Sequence, residues 1–318
     1  MDPITQGCLG SACAQAILHK QPARVVWISS AIAAMAPDLD IFIRSRNEPL
    51  LSLLYHRHFT HSIFFIPIGA ILVTLFLCSF IRLFRAHWSL TFLASLIGIA
   101  THGLLDACTS YGTVLYWPFS LTRVSWDIVS IIDPIVTFPL AIGTALSVIF
   151  FKRHYVLIAI FWVGIFLSFN TYQHHQAIQL ASQYFQQYGN ISRIRAIPEM
   201  ASSTKWRVVT LMNDTIYTAI AYVPIWGANQ FKLTGKYPQF QQSELPNFVI
   251  KSPTLMHDFR IFAWFTDGWL IRVPSEGLII ADARYIFYQP PIALWGIGLN
   301  EKKLHVIKHR FIKLENKK

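Results

Sequence analysis

The fold class this sequence predicts is a helical membrane bundle, of about four full spans plus a short N-terminal helical hairpin, followed by a mainly β C-terminal domain. Three observations carry it. Of 318 residues 53% are hydrophobic and 14% charged, with mean hydropathy +0.41, whereas soluble domains carry about 25% charge. Long apolar runs alternate with short basic turns. After Tyr172 these runs give way to a Gln- and Tyr-rich stretch and then to period-two alternation between Gly and Pro turns. The expected organisation is a multipass membrane domain over residues 1–173, a connecting helix over 174–190 and an extramembrane domain over 191–318.

Asp2 and Pro3 form a helix start, as N-cap and first helical residue, and the small residues Gly7, Gly10, Ser11, Ala12 and Ala14 suit close helix packing. This helix stops near Pro22, and a second apolar run, 25–36, ends at Pro37. Both are shorter than the roughly 20 residues that cross a bilayer upright, so they read as a hairpin packed in the bundle. Residues 62–81, 87–105, 128–151 and 155–172 read as full spans. Asp133-Pro134 is a further N-cap and first-turn pair. In the C-terminal part the expected strands are 206–212, 216–223, 259–265, 269–273, 278–281 and 304–314.

The formal charge of +11 could suggest nucleic acid. However, the basic residues do not alternate with stacking aromatics, apart from a short basic tail at 302–318, so anionic lipid headgroups are the expected counter-charge and no nucleic acid is expected. Lys20/Arg24, Arg82/Arg85 and Lys152/Arg153 fall on one side if every apolar segment crosses, which makes that side cytoplasmic. Asp2, the 37–61 and 106–127 connections and the β domain then face the extracytoplasmic side. Cys8, Cys13, Cys78 and Cys108 show no CxxC spacing, and the N-terminus lacks the basic region of a cleavable signal.

Residues 37–62 crowd three acids, three histidines and three arginines into one connection between apolar segments. Ionisable groups beside membrane-grade sequence are costly unless they pair, bind an ion or face water. Asp38 and Asp40 stand at i, i+2. His58 and His61 are at i, i+3, with His56 a turn away. His102 and Asp106, at i, i+4, share one helical face on the same predicted side of the membrane. Imidazole and carboxylate together suit Zn²⁺ or Mn²⁺ better than Mg²⁺ or Ca²⁺. Singly, each residue has a plainer use in a turn, a cap or a satisfied pair; their joint occurrence points to a shared metal site, which three ligand sources converging on one bundle mouth would make a two-metal site. Arg57 and Arg123 have planar forks suited to a phosphate or carboxylate, and snorkelling or a salt bridge is the alternative.

MDPITQG, APDLD, HRHFTHS, THGLLDACTSYGT, PFSLTRVSWD and IIDP, in this order and with these spacers, resemble the YdjM-like (YbcI-type) inner-membrane metal-dependent hydrolase family over about the first 140 residues. The resemblance implies a multipass inner-membrane protein with hydrolase activity. The family's motif positions fall on Asp38, Asp40, His56, Arg57, His61, His102 and Asp106. His58 stands where the HRxxTHS pattern is free. Gln6 replaces a histidine found in many members, which argues against an imidazole ligand from the N-terminal segment. The resulting expectation is a divalent-metal hydrolase with Asp38, Asp40, His56, His61, His102 and Asp106 as ligands. Arg57 and Arg123 would hold an anionic group of a lipid or lipid-linked phosphoester. The rival is a non-enzymatic protein with a structural ion cluster whose β domain binds an envelope or lipid partner.

Overall fold

The structure is a computed structural model and describes residues 1–275, 277–288 and 291–314; residues 315–318 of the basic tail lie outside these. The helices are α1 (Pro3–Ile17), α2 (Ala23–Met35), α3 (Leu51–Tyr55), α4 (Ile66–Phe80), α5 (Arg82–Ala86), α6 (Trp88–Ala107), α7 (Pro134–Phe150), α8 (His154–Gln186), α9 (Asn247–Ile250) and α10 (Pro253–Phe265). The strands are β1 (Arg193–Pro198), β2 (Lys205–Met212), β3 (Thr215–Tyr222), β4 (Gln230–Pro238), β5 (Leu270–Val273), β6 (Leu278–Asp282), β7 (Ile286–Tyr288), β8 (Pro291–Leu299) and β9 (Ile307–Lys313). The chain divides into two compact units. One comprises Met1–Phe42, Tyr55–Tyr172 and Pro198–Ser203; the other comprises Ile43–Leu54, Gln173–Ile197 and Thr204–Lys318.

Among the described residues, four helices are long and apolar enough to cross a membrane: Ala23–Phe42, Ile63–Phe80, Trp88–Ala107 and His154–Gln186. The second apolar run is therefore longer than its sequence suggests. Pro37 does not end it, because the chain tightens into a 3₁₀ turn over Ala36–Phe42, where a missing N–H is tolerated. Conversely, the expected span at 128–151 is helical only over the 17 residues of α7. Asp133 caps it by accepting from the Ile135 amide, and Pro134 sits in its first turn.

Small residues decide how closely α1, α2 and α6 meet. A β-carbon on Gly98 would lie 2.2 Å from the Ser30 carbonyl oxygen, and one on Gly10 would lie 2.5 Å from Ala34 Cβ and 3.1 Å from Gly98 Cα. Packing of this kind, rather than hydrophobic expulsion, holds helices together where the solvent is itself apolar. Around it lies one apolar cluster that includes Val25, Ala33, Val73, Leu77 and Ile99, and another that includes Val136, Leu140, Val156 and Val163.

In the second unit, β1-β2-β3-β4 form one sheet, and β5-β6-β8-β7 form another with β9 on β8. The β2–β3 hairpin runs from Lys205↔Tyr222 to Met212↔Thr215 and turns through Asn213 and Asp214, both at positive φ, as a two-residue turn of this hand requires. Phe259 to Phe265, expected as a strand, is part of α10. Ser252 caps that helix, Pro253 opens it, and Leu255, Phe259, Phe262 and Phe265 recur at helical spacing on its buried face. β1, β4, β7 and β8 were not expected from the sequence.

Gly98→Ala separates packing from propensity. Alanine gains about 1 kcal/mol of helix propensity, but here the added carbon meets backbone, and overpacking costs about 1–3 kcal/mol. Gly98→Ala is expected to lower the thermal midpoint in detergent, whereas Gly164→Ala, with nothing within 4 Å of its new carbon, leaves it unchanged or raised.

Candidate metal centre

Four side chains from three segments converge inside the first unit. Asp38 comes from the 3₁₀ turn after α2, His61 from the turn Phe59–His61, and His102 and Asp106 from one face of α6. One ligand atom from each lies within 4.8 Å of the others. His61 Nε2 is 3.3 Å from Asp106 Oδ2 and 3.4 Å from Asp38 Oδ1, and His102 Nε2 is 3.5 and 3.6 Å from the same oxygens. His61, His102 and Asp106 are fully buried as side chains, while that of Asp38 is 18% exposed and marks the side of access.

The arrangement fits a cation. His61 Nε2, His102 Nε2 and Asp106 Oδ2 are buried, face one another and make no hydrogen bond. An unsatisfied buried polar group costs about 1–3 kcal/mol, so two imidazole nitrogens beside a carboxylate oxygen whose ion-pair partner is Arg57 call for a shared partner. Charge agrees in sign: with both imidazoles neutral, the carboxylates of Asp38, Asp40 and Asp106 outnumber the guanidinium of Arg57 and the α-amine of Met1, and the cluster is left net negative. The same field acts on His61. Burial alone would lower the pKa of its imidazole, but the carboxylates of Asp106, Asp38 and Asp40 outweigh it and push it up to about 10.

The far side of each imidazole is held. His102 Nδ1 lies against the Ala34 carbonyl, which leaves Nε2 to present a lone pair to the cluster. The close approach of Gly98 to α2 brings that carbonyl within reach, so small residues position the histidine. His61 Nδ1 is 3.2 Å from Asp40 Oδ2. Asp40 also accepts from the Arg57 amide at 3.0 Å and from Thr60 Oγ at 2.7 Å, and its other oxygen lies 2.7 Å from His56 Nδ1. Asp40 and His56 therefore stand behind His61 rather than beside the shared point, in the relation by which outer carboxylates fix a ligand's tautomer and orientation.

Arg57 Nε is 3.0 Å from Asp106 Oδ2, and its Nη1 donates to Thr109 Oγ at 2.7 Å. Its φ of +62° is rare for a residue with a β-carbon and is held by the contact of its amide with Asp40. Arg123 donates from Nη2 to the carbonyls of Tyr111 and Gly112 at 3.1 and 2.8 Å. Both guanidiniums lie over the Tyr111 ring at 5.0 Å. His58 packs among Tyr55, Phe59 and Trp117 instead. Gln6, Thr60, Thr109 and Tyr111 join the site without having been singled out as site residues. Gln6 Nε2 donates to Asp106 Oδ1 at 2.9 Å and to the His102 carbonyl at 3.3 Å, and the α-amine of Met1 also meets Asp106 Oδ1. The available signal was a long amide set directly before the small residues of α1.

Fold and site define a multipass membrane protein with a buried His/Asp cluster able to hold a metal ion. Residues 1–177 match the YdjM inner membrane protein family, and the chain belongs to that family. It is also similar to YfhP of Bacillus subtilis (strain 168), described as an uncharacterized protein, with 26% identity over 157 residues. That match covers 49% of this chain and 43% of YfhP, so the chain spans less than half the length of this relative. No solved structure matches the chain.

Elemental analysis of detergent-purified protein tests the cluster. Asp106→Ala and His102→Ala are expected to abolish stoichiometric divalent metal. Asp40→Asn retains the metal but weakens it by about 10–100-fold, the usual effect of losing an outer hydrogen-bonding partner; equal binding by Asp40→Asn and the wild type would remove Asp40 from this role.

Proposed function

We propose that the protein is a membrane-bound metal-dependent hydrolase acting on a lipid or lipid-linked phosphoester. The observation that carries this reading is the convergence of Asp38, His61, His102 and Asp106 on one point, with both buried Nε2 atoms making no hydrogen bond. Two imidazoles and two carboxylates favour Zn²⁺ or Mn²⁺ over Mg²⁺ or Ca²⁺. A divalent ion at such a site supplies Lewis acidity and lowers the pKa of water. The chain's own residues do the rest. Ala34 and Asp40 orient the imidazoles, Gln6 holds the second oxygen of Asp106, and Arg57 balances its charge. The partly exposed Asp38 adjoins the exposed apolar side chains of Leu39, Ile41 and Phe42, along which an acyl chain can approach. By the distribution of basic turns, the site and the β domain are extracytoplasmic.

A second reading has a specific observation in its favour. Arg57 and Arg123 are both engaged within the protein, by Asp106, Thr109 and the loop at Tyr111, rather than turned toward open space. A guanidinium held in this way suits an ion-pair and metal lock that braces the bundle.

The two readings separate on one set of variants. The metal-loaded wild type should hydrolyse short-chain phosphatidic acid or a polyprenyl diphosphate. His102→Ala should lose that turnover by about 10²-fold or more while keeping its detergent elution profile and most of its thermal stability. A lock predicts the reverse: a large fall in thermal midpoint and no metal-dependent turnover in the wild type. Arg123→Ala adds a further arm, raising KM if the arginine binds substrate and lowering only stability if it ties down the 111–112 loop.

A further inference from the structure

Within the second unit, the segment Ile43–Leu54 and the turn before β9 border a cleft of about 730 Å³ that has no part in the metal centre. Its walls carry Arg46, Asn47, Lys303 and His305, with Leu304 and Ile307 beside them. The sequence makes both walls basic: residues 43–50 and 300–313 together hold seven lysines and arginines against two acids, Glu48 and Glu301. Charge of one sign gathered on a concave surface attracts a ligand of the other.

Local structure fixes the groups on these walls. The turn at Asn300 is closed by the Lys302 amide on Asn300 Oδ1 at 2.9 Å and by the Lys303 amide on the Asn300 carbonyl at 3.1 Å, which sets Lys303 at the cleft. The side chains of Arg46 and Lys303 make no ion pair or hydrogen bond among the described residues. His305 is held from behind. Its Nδ1 lies 3.0 Å from Asp258 Oδ2, which also accepts from the Val306 amide at 3.0 Å. Asp258 is 3% exposed and lines, with Glu48 and His257, an adjoining cavity of about 410 Å³. Its carboxylate places the proton on Nδ1 and leaves Nε2 as the one uncommitted polar atom of the imidazole. Partial burial and the like charges of Arg310 and Arg44 lower the pKa of Lys308, next to the cleft residue Ile307. A bound anion relieves crowding of this kind.

We infer that this cleft binds a phosphate group, with Arg46 and Lys303 as its charged contacts and His305 as a positioned hydrogen-bonding partner. Arginine offers a planar fork and lysine a mobile point charge, and both suit phosphate oxygens. Two unpaired cations match the charge of a phosphate monoester, about −1.5 to −2 near neutral pH, better than the single charge of a carboxylate. Nε2 of His305 accepts from the hydroxyl of a singly protonated phosphate. Leu304, 71% exposed, stands at the rim and offers an apolar surface to whatever the phosphate is attached to. A soluble phosphate ester and a phospholipid headgroup share this chemistry. The inference does not rest on the reading of the metal centre.

Isothermal titration calorimetry on the full-length protein in dodecyl maltoside tests it, with glycerol 3-phosphate and dihexanoyl phosphatidic acid as probes. Both are also titrated into His102→Ala, so that turnover at the metal centre adds no heat. Glycerol 3-phosphate should bind the wild type and His102→Ala alike. Arg46→Ala and Lys303→Ala should each weaken it by about 10-fold or more, as the loss of a charge-assisted hydrogen bond implies. Lys302→Ala removes the same charge from a side chain outside the cleft lining and should stay within about two-fold of the wild type. Absence of binding for both probes overturns the proposal. So does equal weakening by Lys302→Ala, which would mean a diffuse basic surface, and so does loss of binding in His102→Ala, which would assign the phosphate to the metal centre. The two probes separate the sources: tighter binding of the lipid, with the difference lost in Leu304→Ser, identifies a headgroup, and equal binding identifies a soluble phosphate ester.

Discussion

Carboxylates placed among apolar helices set the central constraint on this molecule. Asp106 is fully buried near the end of a membrane-length helix, and Asp38 and Asp40 end another. An ionised carboxylate in such surroundings is costly by several kcal/mol unless positive charge and hydrogen bonds compensate it. Much of the first unit is arranged around that compensation. Arg57 takes a left-handed backbone conformation while its side chain lies against Asp106; its amide, with Thr60, hydrogen-bonds Asp40; Gln6 reaches across from α1. The net negative charge left over is what makes the cluster able to hold a cation.

The packing of the helices and the geometry of the cluster are the same fact seen at two scales. Only glycine at 98 lets α6 press on Ser30 of α2, and that approach brings the Ala34 carbonyl to His102 Nδ1. Gly103 does the same on the other side, since a β-carbon there would lie 2.3 Å from the carbonyl oxygen of His61. Stripes of small residues that read as generic membrane packing are, at these positions, what aims the ligands.

The helical half was legible because its signals are local: long apolar runs, caps such as Asp2 and Asp133, and the basic turns between helices. Where the reading and the structure differ, short apolar segments are the cause. Residues 259–265 fit a strand by composition but become helix because Ser252 caps them and every third or fourth side chain is buried. Residues 36–42 continue the second span because proline is tolerated in a first turn. β4 was missed since it is mostly exposed and carries lysines, so its pairing with β3 rather than its own pattern makes it a strand.

The sequence by itself determined that this is a membrane protein with a β-rich C-terminal part, and which acids and histidines are concentrated at the ends of its apolar segments. Composition and spacing along the chain suffice for that. Only the tertiary structure decided their arrangement. Asp38, His61, His102 and Asp106 share one point, Asp40 and His56 stand behind His61, and Arg57 and Arg123 both lie over the Tyr111 ring. The physical reason is that a side chain's role here depends on which atom of a distant segment lies within about 3 Å of it. That distance is fixed by helix packing across the bundle, and nothing local in the chain records it.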